Sequence, residues 1–280
     1  MRVYTGAALL LLTVSILVSC ERTTPDPGDQ KLYNTDIKLI LSETVNGGVH
    51  KVYTYNEDRT INEVYGQDFY KEYIYIKGFM ESIVTFKTEV DIPAEKSNGM
   101  NYMLPLETVY DTSTANTKYV TDLIHDSYGR VVVKNTLEVN KEGTFPYLSV
   151  HIIYELDGRI RERSVTDDTG STRIFTYEYD NNDNIAFENV YRIVSGEPPL
   201  REKLIEYQYD DKRNPFIVFK DEAEPGRDTN KNNITHIKTT WFIDPPEAGS
   251  VVNETIAYTY TSQGYPFNVN GIYTYTYESK

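Results

Sequence analysis

Apolar and polar residues alternate in short runs along most of this chain. "VYTY" (52–55), "YIYI" (73–76), "IFTYEY" (174–179), "IEYQY" (205–209), "IAYTY" (256–260) and "IYTYTY" (272–277) all repeat with period two. Successive side chains of a strand point to opposite faces, so each run predicts a strand with one tyrosine-rich face. No run beyond the first twenty residues holds a helical period with caps at both ends, so little helix is expected.

A second pattern sits between the runs. An aromatic is followed by a polar turn and, six residues on, an apolar residue or proline: "YNEDRTI" (55–61), "HDSYGRV" (125–131), "YELDGRI" (154–160), "YDNNDNI" (179–185), "YDDKRNP" (209–215) and "YTSQGYP" (260–266). His125 takes the aromatic place in the second copy. Counting the aromatic as zero, position +4 is Gly129, Gly158 or Gly264 in three copies and Arg59, Asp183 or Arg213 in the others. A three-residue hairpin loop built on a type I turn ends in the left-handed region, where glycine fits without strain and Asp is tolerated. The three glycines are therefore read as structural turn residues. The Arg copies are expected to use a different loop, with Asn214 in the left-handed role after Arg213. In the three glycine copies, positions 0 and +6 should face each other across the hairpin, a pair worth about 0.2–1 kcal/mol.

Consecutive hairpins with short turns pair with their neighbours. The expected fold is all-β: an antiparallel meander curled into a twisted sheet, a sandwich or a barrel-like form. The gap from 209 to 260 has room for one degenerate unit built from "ITHIKTTWFI" (234–243). Three stretches interrupt the grammar, at 91–118, 221–233 and 244–250; loops this long in a compact domain are usually functional or mobile.

The N-terminal segment adds an address. Arg2 precedes a mostly apolar stretch, Ala7–Val18, that is too short for an ordinary membrane span. "LVSC" (17–20) follows, with Leu at −3, a small residue at −1 and then Cys20, the pattern of a bacterial lipobox. Its chemistry requires that thiol, which takes a diacylglycerol thioether; several acyl chains then anchor stably where one is marginal. Cys20 is the only cysteine among 280 residues, so disulfides and Cys-ligated metals are excluded from the rest. The expected organisation is a signal peptide at 1–19, lipidated Cys20 with a Pro- and Gly-containing tether to residue 36, and an all-β repeat domain at 37–280. The tether has no acidic run that would choose between the periplasmic and surface faces. The net charge of −14 repels phosphate backbones, so no nucleic-acid partner is expected.

The turn pattern resembles the YD repeat of RHS-type proteins, roughly Tyr-Asp-x-x-Gly-x-Leu/Ile. "YDNNDNI" and "YDDKRNP" keep the Tyr-Asp, while "YELDGRI" and "HDSYGRV" keep the Gly and the apolar residue. With the lipobox, the tether and the ending "YTSQGYPFNVNGIYTYTYE", the chain resembles a family of uncharacterised Bacteroides-type outer-membrane lipoproteins carrying degenerate repeats of this kind. The resemblance covers most of residues 50–278 and implies a hairpin fold and an outer-membrane lipid anchor. Nothing here matches the peptidase-like core of RHS shells, so that activity is not implied.

Candidate chemistry is sparse. His50, His125, His151 and His236 form no zinc spacing. A G-x-S-x-G elbow, a Walker loop and a G-x-G-x-x-G fingerprint are all missing. No cofactor is expected, with calcium as the one alternative. Asp228, Asn230 and Asn232 alternate like the opening of a calcium loop. Asn233 replaces the usual turn glycine and Thr239 the bidentate Glu, and the plain alternative is a solvated Asx-rich turn. Trp241 offers a ring for stacking on a sugar, against the ordinary role of core packing. The functional readings are a non-enzymatic envelope module that binds or scaffolds a glycan or another envelope protein, a glycan hydrolase using two carboxylates, and a purely structural spacer.

Overall fold

The computed structural model describes residues 38–67, 69–87, 117–194, 196–226, 228–243 and 249–279. The signal peptide, Cys20, the tether and the 91–116 part of the first interruption lie outside these residues. Seventeen strands make one antiparallel sheet. They are β1 (Ile40–Val45), β2 (Gly48–Tyr55), β3 (Ile61–Gly66), β4 (Phe69–Ile76), β5 (Phe79–Lys87), β6 (Thr117–His125), β7 (Val131–Asn140), β8 (Gly143–Tyr154) and β9 (Ile160–Asp167). The rest are β10 (Thr172–Tyr179), β11 (Ile185–Ile193), β12 (Leu200–Arg213), β13 (Asn232–Trp241), β14 (Val251–Thr255), β15 (Tyr258–Tyr260), β16 (Pro266–Val269) and β17 (Tyr273–Tyr277). A single 3-10 helix, Pro215–Glu222, stands among the described residues, so the expectation of little helix holds.

Each strand from β1 to β14 pairs with the next, β15 to β17 continue the meander, and β17 returns to β1. No ladder joins β14 to β15, so the hydrogen-bonded sheet is not closed, and these two are its edges. Only Ile256 and Ala257 separate them in the chain. The sheet has therefore curled until its edges meet at a seam. There Ile256 N–H donates to the Thr235 carbonyl and Asn270 N–H to the Ala257 carbonyl, both at 2.8 Å.

The repeat turns share one geometry. In "YELDGRI", Gly158 N–H donates to the Glu155 carbonyl (3.1 Å) and Glu155 N–H to the Arg159 carbonyl (2.8 Å). Asp126/Gly129/Arg130, Asp180/Asp183/Asn184 and Thr261/Gly264/Tyr265 repeat both bonds. Position +4 is left-handed throughout, with φ of 76° at Gly129, 91° at Gly158, 81° at Gly264 and 63° at Asp183. Arg59 does not use a different loop as expected: its φ is 69° and it makes the same pair of bonds with Asn56 and Thr60. Positions 0 and +6 are direct partners in all five hairpins: Tyr55↔Ile61, His125↔Val131, Tyr154↔Ile160, Tyr179↔Ile185 and Tyr260↔Pro266.

The sixth copy departs from the pattern. Asn214 is extended (φ −84°, ψ 116°) rather than left-handed, and it caps the 3-10 helix by accepting from Phe216 N–H at 3.0 Å. Tyr209 faces Ile234 instead of Pro215, because residues 214–231 are inserted where the turn would be. Phe216, Val218 and Phe219 of this insertion are buried in the hydrophobic core, where Phe216 meets Tyr275 edge-on (5.5 Å) and Phe219 packs on Tyr53 (5.6 Å). The inserted segment is a plug filling the inside of the curled sheet. Burying three such side chains contributes about 1.5–3 kcal/mol each.

The tyrosine face turns inward onto the plug. Tyr53, Tyr73, Tyr177 and Tyr275 are buried there, and Tyr55, Tyr154, Tyr179 and Tyr207 pack against them. Tyr65 and Tyr70 are among the exceptions. With Val52 they form a small cluster on the opposite face, and both hydroxyls donate to Glu63 (2.7 and 2.8 Å).

Candidate functional site

Strand direction alternates, so the turns at 56–60, 77–78, 126–130, 155–159 and 180–184 all lie at one end of the sheet, where the plug also enters. A cavity of about 530 Å³ opens there between the plug and three successive repeat turns. Its size is within the range of small-molecule sites, roughly 300–1,000 Å³. The floor is apolar, made by Phe79, Met80, Val131, Ile160 and Ile217; the turns contribute Arg130, Asp157, Arg159 and Asp183; the plug contributes Lys220, Asp221, Thr229 and Lys231.

The repeat places these groups. Arginine at +5 follows the turn glycine in two copies and lies over the aromatic of the next unit. Arg130 stacks 4.5 Å from the Tyr154 ring centre and Arg159 5.0 Å from that of Tyr179. Arg130 also binds Asp126 Oδ2 through Nε (2.8 Å) and Nη2 (2.6 Å). Arg159 Nη2 stands 2.7 Å from Asp157 Oδ2 and its Nη1 3.6 Å from Asp183 Oδ1, while Lys231 holds the other Asp183 oxygen at 2.5 Å. The Arg159 backbone N–H and then its guanidinium hold the Asp157 carboxyl below the usual range. Asp221 is different. It accepts no hydrogen bond among the described residues, and burial pushes its carboxyl above the usual range, partly offset by Lys220 and His125.

Ion pairs fix the plug beneath the cavity. Glu222 accepts from the Tyr73 hydroxyl (2.6 Å) and pairs with Lys71 (3.4 Å). Lys134 donates to the Glu222 carbonyl (3.0 Å) and pairs with Glu224, which also holds Arg163. The plug is thus tied to β4, β7 and β9.

Gly129 and Gly158 form part of the cavity wall, whereas Gly264 occupies a turn elsewhere on the same rim. Asp228 and the two asparagines stand on the returning limb of the plug. Asn230 Oδ1 accepts from Ile185 N–H (2.9 Å) and Asn232 Oδ1 from Asn184 Nδ2 (3.0 Å), so these amides splice the plug to the 180–184 turn. Their neighbours Thr229 and Lys231 reach the cavity instead. Trp241 lies at the opposite end of β13, half-buried, with the Lys203 ammonium 5.0 Å from its ring. Sequence reasoning missed Lys220 and Asp221. The available signal was the apolar run "PFIVF" directly before a polar loop, which marks a segment that enters the core rather than hanging from it.

No family model matches the chain, and no curated protein matches it. Among solved structures, a porin-like protein from Bacteroides uniformis is similar, with TM-score 0.48 and 13% identity over 88% of this chain and 98% of that one. A porin-like protein from Bacteroides vulgatus has TM-score 0.42 and 11% identity over 86% of this chain and 99% of that one. Neither likeness carries a property across to this chain.

Proposed function

We propose that this protein is a non-enzymatic binding module, tethered to the outer membrane through lipidated Cys20, that holds a short polar glycan in the turn-end cavity. The observation that carries the reading is the cavity wall. It combines an apolar floor with interleaved donors and acceptors fixed by their own ion pairs, the mixture that suits a ring carrying hydroxyls on its edge and C–H groups on its faces. The envelope address rests on the apolar Ala7–Val18 stretch and the "LVSC" sequence.

A glycan array probed with the full-length protein in detergent tests the reading. Binding of neutral oligosaccharides that is lost in Arg159→Ala is the expected result; an array without a hit overturns it. Replacing Cys20 with Ala should release the protein from washed membranes, and retention after an alkaline wash would remove the anchor from the proposal.

One observation favours a second reading. The cavity holds one carboxylate kept ionised, Asp157, and one pushed toward its protonated form, Asp221. Such a split is what a two-carboxylate glycan hydrolase uses. Release of reducing ends from a bound oligosaccharide would select this reading over simple binding.

A further inference from the structure

We propose that Asp221 is the specificity-determining residue of the cavity, accepting a hydroxyl hydrogen bond from a neutral sugar while the Arg159 guanidinium donates to another oxygen of the same sugar. The inference rests on the glycan reading above and adds the group that selects the ligand and the ligand's charge class.

Three observations support it. First, the other wall carboxylates are already engaged: Asp157 with Arg159, and Asp183 with Lys231 and Arg159. Asp221 accepts nothing from the described residues, although it sits in the same wall. A partly buried carboxylate without a donor is costly to keep, so a ligand donor would recover what desolvation removes. Second, the Arg159 side chain lines the same cavity and is 37% exposed, so its guanidinium is within reach of a ligand while it holds Asp157. An open acceptor beside a partly exposed guanidinium matches neighbouring oxygens of a sugar, each of which can donate and accept. Third, the formal charges cancel. Arg130, Arg159, Lys220 and Lys231 are balanced by Asp157, Asp183, Asp221 and, behind Arg130, Asp126. A charged ligand would leave one charge inside the cavity unbalanced.

Asp221 is also held in place for the task. The next residue, Glu222, is fastened by Tyr73 and Lys71, so the carboxylate is presented from a fixed backbone rather than a free loop. The groups facing it are Lys220 on its own element, His125 from β6, Tyr75 from β4 and Tyr154 from β8. Arg130, Arg159, Lys231, Asp157 and Asp183 complete the charged wall across the cavity.

The test is calorimetric titration of the full-length protein in detergent with cellobiose, maltotriose and N,N′-diacetylchitobiose, beside glucosamine and galacturonic acid as charged probes. At least one neutral saccharide should bind, more tightly than the charged probes. Asp221→Asn keeps an acceptor oxygen but removes its charge, and should weaken binding about tenfold, as a charge-assisted hydrogen bond becomes a neutral one. Wild-type affinity should fall as pH drops through the raised pKa of Asp221, because binding requires the ionised form; Asp221→Asn should lose that part of the dependence. Arg159→Lys keeps the charge but removes the planar guanidinium, and should weaken binding with an unchanged pH profile. If a neutral saccharide binds but Asp221→Asn matches wild type in affinity and pH profile, or a charged probe binds best, the inference falls and the binding cavity stands. If no saccharide binds, both fall.

Discussion

The Tyr179 hydroxyl donates to the carbonyl oxygen of Ile160 at 2.8 Å, and Ile160 is the residue that faces Tyr154 across the preceding turn. The relationship recurs: Tyr154 reaches the Val131 carbonyl (2.8 Å) and Tyr209 the Ile185 carbonyl (2.7 Å). These three tyrosines thus fasten the previous unit with their hydroxyls, and Tyr154 and Tyr179 also close their own hairpins with their rings. Tyr154→Phe, Tyr179→Phe and Tyr209→Phe should each lose about 1 kcal/mol in urea unfolding, the worth of one hydrogen bond. Three unchanged midpoints would show that the hydroxyls do not bind the units together.

The turn glycines are not equivalent. A Cβ added at Gly158 meets nothing within 4 Å, so Gly158→Ala should cost only the left-handed backbone, about 1–2 kcal/mol. A Cβ at Gly129 would stand 2.5 Å from the Phe79 ring, which must move. Gly129→Ala should therefore be the more destabilising of the two in thermal melts, and equal losses would count against that packing.

The plug should loosen before the sheet does. Lys134→Met removes the hydrogen bond to the Glu222 carbonyl and one of the two cations on Glu224. A loss of about 2 kcal/mol is expected, concentrated in faster amide exchange at residues 215–226 with the flanking strands protected. Uniform acceleration across the sheet would mean that the plug is not a separable unit.

Two carboxylates should give stability opposite pH signatures. The folded-state pKa of Asp221 lies above the ordinary 3.8, raised chiefly by burial, so its ionised form opposes folding at neutral pH. Asp221→Asn should raise the melting temperature at pH 7, with the gain vanishing once pH falls below the ordinary value. Glu224 is the reverse. Burial opposes ionisation there, but Lys134 and Arg163 outweigh it and hold the pKa below 4.5. Glu224→Gln should lower stability at pH 7, with the deficit closing as pH falls through the folded pKa. Melting curves between pH 3 and 7 would expose either sign as wrong.

The alternation and the +4 and +6 positions were enough to give the meander and the register of the three glycine hairpins, because both depend on local sterics and strand period; Tyr55↔Ile61 and Tyr179↔Ile185 follow the same register without a glycine. Arg59 was misjudged because a left-handed arginine is tolerated once its neighbours supply the two turn bonds and Glu278 pairs with its guanidinium at 2.6 Å. The turn at Asp167–Ser171 went unseen because Thr166 and Thr172, joined through their hydroxyls at 2.9 Å, stand where the aromatic and apolar pair usually does. The plug was hidden for a deeper reason. Its apolar half is short enough to read as a strand, and its polar half is soluble in appearance; only the curled sheet supplies the cations that bury it. The cavity depends on groups from β5 to β11 and the plug, which no local spacing brings together.

The chain leaves the sheet where it entered. Glu278 N–H donates to the Leu39 carbonyl at 3.1 Å, and Arg59 of the first repeat turn grips Glu278, so both described termini emerge on the rim that bears the cavity mouth. Residues 21–37 can span at most about 60 Å when fully stretched. An acyl chain on Cys20 would therefore pull from the mouth side. The rim with its opening would then stay within about that tether length of the bilayer, and a large polymer in bulk water would have to enter this layer to reach it.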